Sequence, residues 1–497
     1  METAYMNKTI FQFFHWYILP EDNLWNSASA EAKNLASMGI THIWLPPAYK
    51  SAKGVAEPGY AVYDLYDLGE FNQKGTVRTK YGTKQEYLQA IEALHKVGIQ
   101  VLADIVLNHK MGGDEMEEVH VKTANPANRN EFIGDVHTIE APTKFTFPGR
   151  NGKYSNYIWD KYSFTGFREN EDIKLILHEH SKGQWDEMTD DENGNYDYLM
   201  GKDVEFRNVH VREELKKWGR WLISETGIDG FRLDALKHIN SNFYPEWIDH
   251  IKQVSLKDFM VIGEYWESDV AVILKFIQAT QEKIQMFDVP LHYNLQRASI
   301  EKSEYDLRNT FNDTVVKEKP NLAITFVDNH DTQPLQALES TVEAWFKPLA
   351  YALILLREGG TPCAFYPAVY GASYQGEKQG KTVAITIDKV ALLPTLLRVR
   401  IRLAYGLQRD YFDEANLIGW TREGNKDMQY SGLAVLVSNA RSSEKRMTLG
   451  SANAGMKLRD VTGNQTETVL LNDEGEGIFK VGAETISVWI DERQMFA

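Results

Sequence analysis

The chain has 497 residues, with 54 Lys and Arg against 70 Asp and Glu, which gives a formal net charge of −16 at pH 7. This acidic excess argues against a nucleic-acid partner and against a polybasic membrane anchor, and 43% hydrophobic with 25% charged residues argues against disorder. The single cysteine, Cys363, excludes an internal disulfide and a cysteine-based zinc site, so a metal would need oxygen or histidine ligands. We expect this thiol to be buried in an apolar strand.

Eight short apolar or β-branched runs recur along the chain, separated mostly by segments with helical spacing. The runs cover 9–17, 41–46, 100–107, 230–234, 259–264, 286–290, 322–327 and 361–366. Amphipathic stretches at 87–97 and 211–223 are two of the predicted helices. Because strands that alternate with helices form parallel βαβ units, eight such runs predict an α/β fold built on a (β/α)₈ TIM barrel.

Two parts of the chain depart from this alternation. The segment 108–209, rich in Gly, Asn, Asp and aromatic residues, is too long for a simple loop. After residue 400, spaced apolar runs with turn signals predict an antiparallel β-sandwich; they cover 432–438, 446–449 and 485–490. We therefore predict a barrel from 1–107 and 210–399, an inserted loop-rich β domain at 108–209 and a C-terminal domain at 400–497.

The sequence shows no pattern of a membrane span or a signal peptide. No stretch approaches the roughly 18 apolar residues that a spanning helix requires. The N-terminal segment has no long aliphatic run and no small-residue cleavage site. This pattern predicts a cytoplasmic protein without a membrane partner.

Four of the apolar runs end directly in polar side chains, within 104–109, 230–238, 263–266 and 326–332. In a TIM barrel the carboxyl ends of the strands form the mouth at which catalytic residues lie. The side chains expected there are Asp234, Glu264, Asp331, His109, His330 and Arg232. One Asp at a strand end can simply cap a helix. Four such ends together favour a catalytic mouth.

The carboxylates suit cleavage of a glycosidic bond, which needs one ionised carboxylate and one protonated carboxylic acid. Arg232 lies two residues before Asp234 and on the same strand face, so it would keep Asp234 ionised. Crowding with like charges would raise the pKa of Glu264 and make it an acid near neutral pH. Their positions on consecutive strands are compatible with the roughly 5 Å separation of a retaining mechanism.

These four segments resemble the four signature regions of the α-amylase superfamily of glycoside hydrolases, family 13. Further segments resemble the bacterial liquefying α-amylases, in a cytoplasmic form; they lie at 11–17, 63–83, 193–200 and 418–425. The resemblance implies that Asp234 is the nucleophile, Glu264 the general acid and then base, and Asp331 the carboxylate that stabilises the transition state. The substrate-binding residues that it implies are Arg232, His109, His330, Tyr60, Lys237 and His238.

Aromatic residues beside the predicted cleft are candidates to stack on the flat apolar faces of sugar rings. They are Trp16, Tyr60, Tyr63, Tyr265 and Trp266, and we expect Tyr60 and Trp266 to be the most informative to test.

The resemblance also implies calcium between the barrel and the inserted domain. Its ligands would be Asn108, Asp197, Asp203 and the backbone carbonyl of His238, all hard oxygen donors that suit Ca²⁺. Asp186 is retained from a larger metal cluster of the secreted relatives. Residues that differ from the ligand types of that cluster, or of a further family calcium site, are Thr165, Glu205, Arg207, Ala415, Asn416 and Asn439. We therefore expect one calcium site.

The function implied is that of an endo-acting α-amylase. It would hydrolyse internal α-1,4-glucosidic bonds of starch, glycogen and maltooligosaccharides by a retaining double displacement, as a monomer. An exo-acting α-glucosidase or transglycosylase of the same superfamily is the first alternative. A non-catalytic carbohydrate-binding barrel and a phosphate- or metal-dependent barrel enzyme are the others, although all three carboxylates are present.

Overall fold

The structure is a computed structural model that describes residues 7–189, 191–255 and 258–495. Eight parallel strands close into a barrel in which neighbouring strands follow one another in sequence. They are β1 (Ile10–Gln12), β2 (His42–Leu45), β3 (Gln100–Ile105), β4 (Gly230–Leu233), β5 (Met260–Gly263), β6 (Gln285–Phe287), β7 (Ala323–Phe326) and β8 (Thr361–Phe365). The predicted barrel is confirmed. Its first strand is shorter than the predicted 9–17, because only Ile10–Gln12 pair with β8.

The helices of the described residues follow or separate these strands. They are α1 (Leu24–Ser37), α2 (Lys84–Lys96), α3 (Val209–Thr226), α4 (Phe243–Lys252), α5 (Val270–Ala279), α6 (Val289–Glu301), α7 (Val315–Glu318), α8 (Lys347–Leu355), α9 (Tyr366–Tyr370) and α10 (Leu393–Leu403). Both predicted helices are confirmed, as α2 and α3. The side chain of Asn208 caps the start of α3, and Gly227, with φ +70°, ends it in the left-handed conformation that favours glycine. None of the helices in the described ranges is long and apolar enough to cross a membrane.

The chain divides into two compact units. In the described residues, the first unit comprises 7–17, 33–42 and 288–495, and the second unit comprises 18–32 and 43–287. The first unit contains β1, β7 and β8, and the second contains β3 to β6. The predicted division into three domains stays a prediction.

In the second unit, β3, β4 and β5 lie side by side in parallel register. Arg232 of β4 lies opposite Asp104 of β3 on one side and Ile262 of β5 on the other. Apart from Gln100, every residue of the three strands is buried. This is expected for parallel strands that are covered on both faces. The register brings the carboxyl ends of the three strands to the same level, which positions the polar residues that follow them.

The predicted inserted segment forms a six-stranded antiparallel sheet in the second unit. Its strands, in spatial order, are His109–Lys110, Lys202–Val204, Phe164–Glu169, Asp172–Ile176, Glu115–Asn125 and Asn128–Lys144. Ala124, Leu175, Trp185 and Tyr198 form its buried core. A side chain at Gly166 would lie 2.6 Å from the Trp185 ring, so only glycine allows this packing. Two short strands, Lys50–Ser51 and Val62–Asp64, form a separate pair.

In the first unit, the predicted C-terminal β-sandwich is present. One sheet has the strands Gln408–Glu414, Leu417–Arg422, Leu433–Ser438, Thr485–Asp491, Lys457–Asp460 and Thr468–Leu470. A second sheet pairs Ser443–Thr448 with Glu476–Val481. Leu436 and Trp489 of the first sheet share a buried core with Met447 and Phe479 of the second.

A hairpin that the sequence did not predict, Ala372–Lys378 with Lys381–Ile387, follows β8. Within β8 itself, Cys363 is buried, as expected.

Candidate active site

Arg232 lies at the centre of a group of carboxylates at the ends of β3, β4 and β5. Its guanidinium is fully buried. Nη1 donates to Oδ1 of Asp104 at 2.9 Å and to Oδ1 of Asp234 at 2.6 Å, and Nη2 donates to Glu264. Two predicted catalytic carboxylates are therefore held by adjacent nitrogens of one planar cation.

The backbone fixes these two carboxylates directly after their strands. The N–H of Asp234 donates to the carbonyl of Ile105 at 2.9 Å, and the N–H of Glu264 donates to the carbonyl of Leu233 at 3.0 Å. Each residue thus continues the hydrogen bonding of the barrel one step beyond the strand end. Ala235 then turns the chain in the left-handed region, with φ +52°, which is strained for a residue with a Cβ.

Asp104 is a residue of this group to which the sequence assigned no role. Its Oδ2 accepts hydrogen bonds from Nε1 of Trp44 at 2.9 Å and from the hydroxyl of Tyr60 at 2.6 Å. Burial raises the pKa of Asp104 to about 6; Arg232 opposes this shift and the charge of Asp234 adds to it. An Asp inside a buried strand needs polar partners such as these. The presence of an Asp within an apolar run was therefore the sequence signal that could have indicated its place in the site.

The electrostatics differ from the sequence-based expectation in one respect. The sequence predicts that Arg232 favours the ionised form of Asp234 and that like charges crowd Glu264. In the structure, the guanidinium contacts both carboxylates and Asp104 as well. Three carboxylates around one guanidinium carry 1 − 3 = −2 charges when all are ionised. In this group the charge of Asp234 adds to the raised pKa of Asp104.

Other predicted substrate-binding residues lie around this group in the second unit. His109, which follows β3, is buried, and its Nε2 donates to the carbonyl of Tyr60 at 2.9 Å. Burial lowers the pKa of His109 and favours the neutral ring. Lys237 lies within reach of two acids that the sequence did not single out. Its Nζ is 2.6 Å from Oε2 of Glu192 and 3.2 Å from Oε2 of Glu267.

The aromatic candidates separate by burial. Tyr60 and Trp266 are partly exposed, whereas Tyr63 and Tyr265 are 1% and 0% exposed. The hydroxyl of Tyr63 donates to Asp114 at 2.8 Å. Tyr63 and Tyr265 therefore fill the protein interior, and the expectation that they stack on sugar was wrong.

The expected calcium ligands are buried close to the ends of the barrel strands. The carbonyl of Asn108 accepts from the N–H of Val204 at 2.9 Å, and Asp203 pairs with His109 across the inserted sheet. Oδ1 of Asn108 and Oδ2 of Asp203 are buried without a hydrogen-bond partner. Nδ1 of His238 donates to the carbonyl of Tyr196 at 2.7 Å.

Further acids lie beside these oxygens. The N–H of Asp186 donates to Oδ2 of Asp197 at 3.0 Å. Burial raises the pKa of Asp197 to about 8, and the charges of Asp186 and Glu205 add to this shift. Burial also raises the pKa of Asp203 well above its usual range, and the charges of Asp197, Glu205 and Asp186 add to this shift. Among the described residues, no group of three or more His, Cys, Asp or Glu is arranged to hold a metal. The expected set contains only two carboxylates, since its other donors are an amide and a backbone carbonyl.

Arg207 supplies a positive charge next to these acids. Its Nε and Nη2 each donate to Glu205 at 2.7 Å. The remaining guanidinium hydrogens face backbone carbonyls of Ser181, Gln184 and Trp185 at 3.1–3.3 Å. Where the resemblance implied a metal-binding Asp, this chain has a partly buried cation.

Asn416 and Asn439 of the first unit are the other residues that differ from family ligands. Nδ2 of Asn416 donates to Oδ1 of Asn439 at 2.9 Å. Nδ2 of Asn439 donates to the carbonyls of Lys302 and Tyr305, both at 2.8 Å. These side-chain amides therefore link separate backbone segments by hydrogen bonds. Beside them, the carbonyl of Ala415 accepts a hydrogen bond from the N–H of Leu307 at 2.7 Å.

His330 and Asp331 follow β7 in the first unit. His330 is buried, whereas the Asp331 side chain is 24% exposed, and the two approach to 3.3 Å between Nε2 and Oδ2. The ring of Trp16 lies nearly parallel to that of His330, with centroids 6.0 Å apart. The N–H of Trp16 donates to Oε1 of Gln333 at 3.0 Å, which fixes the segment after β1.

A family model described as the α-amylase catalytic domain matches residues 30–388, which is more than half of the chain. The chain belongs to the α-amylase family. The recognised part is a catalytic domain, so this member of the α-amylase family is an enzyme.

Relatives match this α-amylase family member over almost its full length. It is 46% identical to an α-amylase of Geobacillus stearothermophilus over 99% of this chain and 88% of the relative. It is 43% identical to the cytoplasmic α-amylase of Escherichia coli (strain K12) over 98% and 99% of the two chains. The solved structure of an α-amylase from Geobacillus thermoleovorans, complexed with acarbose, is 20% identical, covers 97% of each chain and has a TM-score of 0.64, which supports the fold.

Proposed function

We propose that this enzyme is an endo-acting α-amylase that hydrolyses internal α-1,4-glucosidic bonds of starch, glycogen and maltooligosaccharides. The observation that carries the proposal is the pair Asp234 and Glu264 on adjacent nitrogens of the Arg232 guanidinium. The neighbouring nitrogens of one guanidinium hold the two carboxyl groups close together. A retaining double displacement requires its two carboxyl groups to be close together, at a separation of roughly 5 Å.

In this mechanism Asp234 attacks the anomeric carbon and forms a covalent β-glycosyl-enzyme. Nη1 of Arg232 donates to Oδ1 of Asp234 at 2.6 Å and holds the carboxyl group in position for this attack. Glu264 protonates the departing glycosidic oxygen and then deprotonates the water that releases the sugar. We assign Asp331 to hydrogen-bond sugar hydroxyls as the transition state forms.

The remaining assignments concern binding of the α-1,4-glucan. We propose that His109 and His330 bind the glucose unit at the cleavage point and that Tyr60 and Trp16 stack on sugar rings. Lys237 would bind on the leaving-group side, with His238 and Trp266 beside it. Lys237 forms ion pairs with Glu192 and Glu267. A sugar hydroxyl that accepts a hydrogen bond from the Lys237 ammonium group would therefore bind alongside these two carboxylates.

The test is product analysis with Asp234→Asn. We expect this variant to fold and to release no reducing ends from soluble starch or maltoheptaose, because a neutral amide cannot form the glycosyl-enzyme. Asp67→Asn is a matched control, because Asp67 is a buried carboxylate that pairs with Lys50, outside the Arg232 group. Parental turnover by Asp234→Asn would refute the proposed mechanism. Glucose as the sole early product of the parent enzyme would favour the exo-acting alternative.

The α-amylase family generally binds calcium, and we propose one site here, formed by Asn108, Asp197, Asp203 and the backbone carbonyl of His238. The proposal is supported by the unpartnered buried oxygens of Asn108 and Asp203, which a hard cation would satisfy. Bound calcium would join the inserted sheet to the end of β3 and would also compensate the charge of the buried acids.

We further propose that the enzyme is cytoplasmic and monomeric. The cytoplasmic location is supported by the name of the Escherichia coli relative, which the chain matches over nearly its whole length. Light scattering of the purified enzyme should give the mass of one chain. Fractionation of the source cells should recover the activity with the cytosolic contents.

A further inference from the structure

Gln12, at the carboxyl end of β1, lies directly against His330. Both side chains are 1% exposed, and Nε2 of Gln12 is 3.0 Å from Nδ1 of His330. On the other side of the ring, Nε2 of His330 is 3.3 Å from Oδ2 of Asp331. The rings of Phe14 and Trp16 lie 5.1 and 6.0 Å from the imidazole, centroid to centroid, and flank it with apolar surface. The imidazole is thus held with one nitrogen toward an amide and the other toward a carboxylate.

This arrangement selects one of the two tautomers of the neutral ring. A neutral imidazole carries one N–H, and a carboxylate can only accept a hydrogen bond. The proton therefore belongs on Nε2, which faces Asp331. Nδ1 then has a lone pair and needs a donor, which the amide of Gln12 provides. In the opposite tautomer, the N–H at Nδ1 would point at the NH₂ group of Gln12, donor against donor. The lone pair at Nε2 would then point at the carboxylate of Asp331.

The orientation of the Gln12 amide supports the same assignment. Oε1 of Gln12 is buried without a hydrogen-bond partner. If the amide were turned over, the nitrogen with its two hydrogens would occupy that position and would be unsatisfied there. Unpaired buried N–H groups are rarer in proteins than under-satisfied carbonyl oxygens. The orientation with Nε2 toward His330 is therefore the better one.

We propose that Gln12 is a positioning residue that holds His330 in the Nε2–H tautomer and directs this N–H toward Asp331 and the hydroxyls of the bound glucose unit. The part that concerns sugar rests on the proposed function, because contact between His330 and the glucan is one of its assignments. Gln12 itself acts only through the imidazole.

His292 provides an internal reference for the test. Its Nδ1 is 2.7 Å from the carbonyl of Val327, which can only accept, so His292 carries its proton on Nδ1. Burial lowers the pKa of His292, so the ring is neutral. The two buried imidazoles thus have opposite expected tautomers, and only that of His330 depends on Gln12.

The experiment is long-range ¹H–¹⁵N correlation of the full chain labelled with ¹⁵N-histidine, with His330→Gln and His292→Gln used to assign the two rings. In the parent, the signals of His330 should show Nε2–H and those of His292 should show Nδ1–H. In Gln12→Leu, which removes the donor, His330 should populate both tautomers. In Gln12→Glu, which presents an acceptor, the signals of His330 should show a proton on Nδ1. His292 should stay unchanged in both variants.

Activity provides the second readout. With the tautomer lost, kcat/KM on maltoheptaose should fall about tenfold, which is the effect of losing one hydrogen bond to a polar partner. An Nδ1–H signature for His330 in the parent, or an unchanged tautomer in Gln12→Leu, would overturn the proposal. So would unchanged kcat/KM in a variant whose tautomer has shifted. If Gln12→Leu does not fold, Gln12→Glu gives the same test at nearly constant volume. The spectra are read without substrate, so their outcome is independent of whether Asp234→Asn abolishes turnover.

Discussion

The substitution Asp104→Asn tests whether the carboxylates around Arg232 act as one electrostatic group. The Asp104 carboxylate receives three hydrogen bonds, from Trp44 and Tyr60 at Oδ2 and from Arg232 at Oδ1. An amide has one acceptor oxygen and an NH₂ group that can only donate. If the oxygen retains Trp44 and Tyr60, the NH₂ group faces the guanidinium, donor against donor.

The magnitude follows from the contact that is lost. Arg232 keeps Asp234 and Glu264, so the loss is one charge-assisted hydrogen bond, worth about 1.5–3 kcal/mol, and not the larger cost of an orphaned buried charge. If this energy is expressed in the transition state, kcat/KM should fall by about 10- to 150-fold. The charge of the group falls from −2 to −1. The remaining carboxylates then release their protons more easily, and the alkaline limb of the pH–rate profile should move to lower pH.

Steady-state kinetics on maltoheptaose between pH 5 and 9, with folding checked by circular dichroism, measures both effects. Asp67→Asn again serves as the matched control: Asp67 accepts from the backbone N–H groups of Gly69, Glu70 and Phe71, so its substitution should lower stability without moving the pH profile. The reasoning fails if Asp104→Asn keeps kcat/KM within twofold of the parent, or if its alkaline limb moves to higher pH.

The other predictions concern the calcium site and stability. Calcium should raise the Tm of the parent, and a chelator should lower it, whereas Asp203→Asn should lose most of this response; equal responses in differential scanning calorimetry would contradict the proposed ligands. Burial raises the pKa of Asp288 to about 6, so its contribution to stability is present below pH 4 and is lost as the pH rises through 6. The free energy of unfolding of Asp288→Asn, measured by chemical denaturation, should therefore rise relative to that of the parent by up to about 3 kcal/mol between pH 4 and 7. A difference between the two proteins that does not change with pH would refute the assignment. Phe479→Ala, which opens a cavity in the C-terminal sandwich, should cost about 3–5 kcal/mol, and a loss below 1 kcal/mol would show that this core can close around the gap.

The barrel strands were predictable because their buried sequences are short runs of mostly apolar residues: β5 is apolar throughout, and Arg232 is the one charged residue of β4. The inserted sheet was predicted only in outline. Its longest strand, Asn128–Lys144, is exposed along most of its length, so it lacks the alternation of apolar and polar residues that marks a half-buried strand. Its pairing is stabilised by the partner strand Glu115–Asn125, a contact that the local sequence does not reveal.

The candidate site was predicted mainly where polar residues follow a strand. Arg232, inside β4, was predicted because it lies two residues before Asp234, but two other polar residues inside strands were missed. Asp234 and Glu264 directly follow their strands, whereas Asp104 and Gln12 are inside apolar runs and were read as part of them. Burial of Tyr63 could not be predicted either, since an aromatic residue beside a cleft and one beneath it have the same local sequence. Arg232 contacts Asp104, Asp234 and Glu264 because β3, β4 and β5 lie in a particular register. No single sequence motif specifies that register.

The guanidinium of Arg207 has a consequence for how the inserted sheet responds to its surroundings. The fraction of sites that hold a metal ion depends on the ratio of the free metal concentration to the dissociation constant. Arg207 is a counter-ion attached to the chain, always present at one per molecule, and neither dilution nor a chelator can remove it. Its pairing with Glu205 makes part of the charge compensation in this acidic region independent of the supply of divalent cations. Only the charge compensation that the proposed calcium ion would provide varies with the composition of the solution.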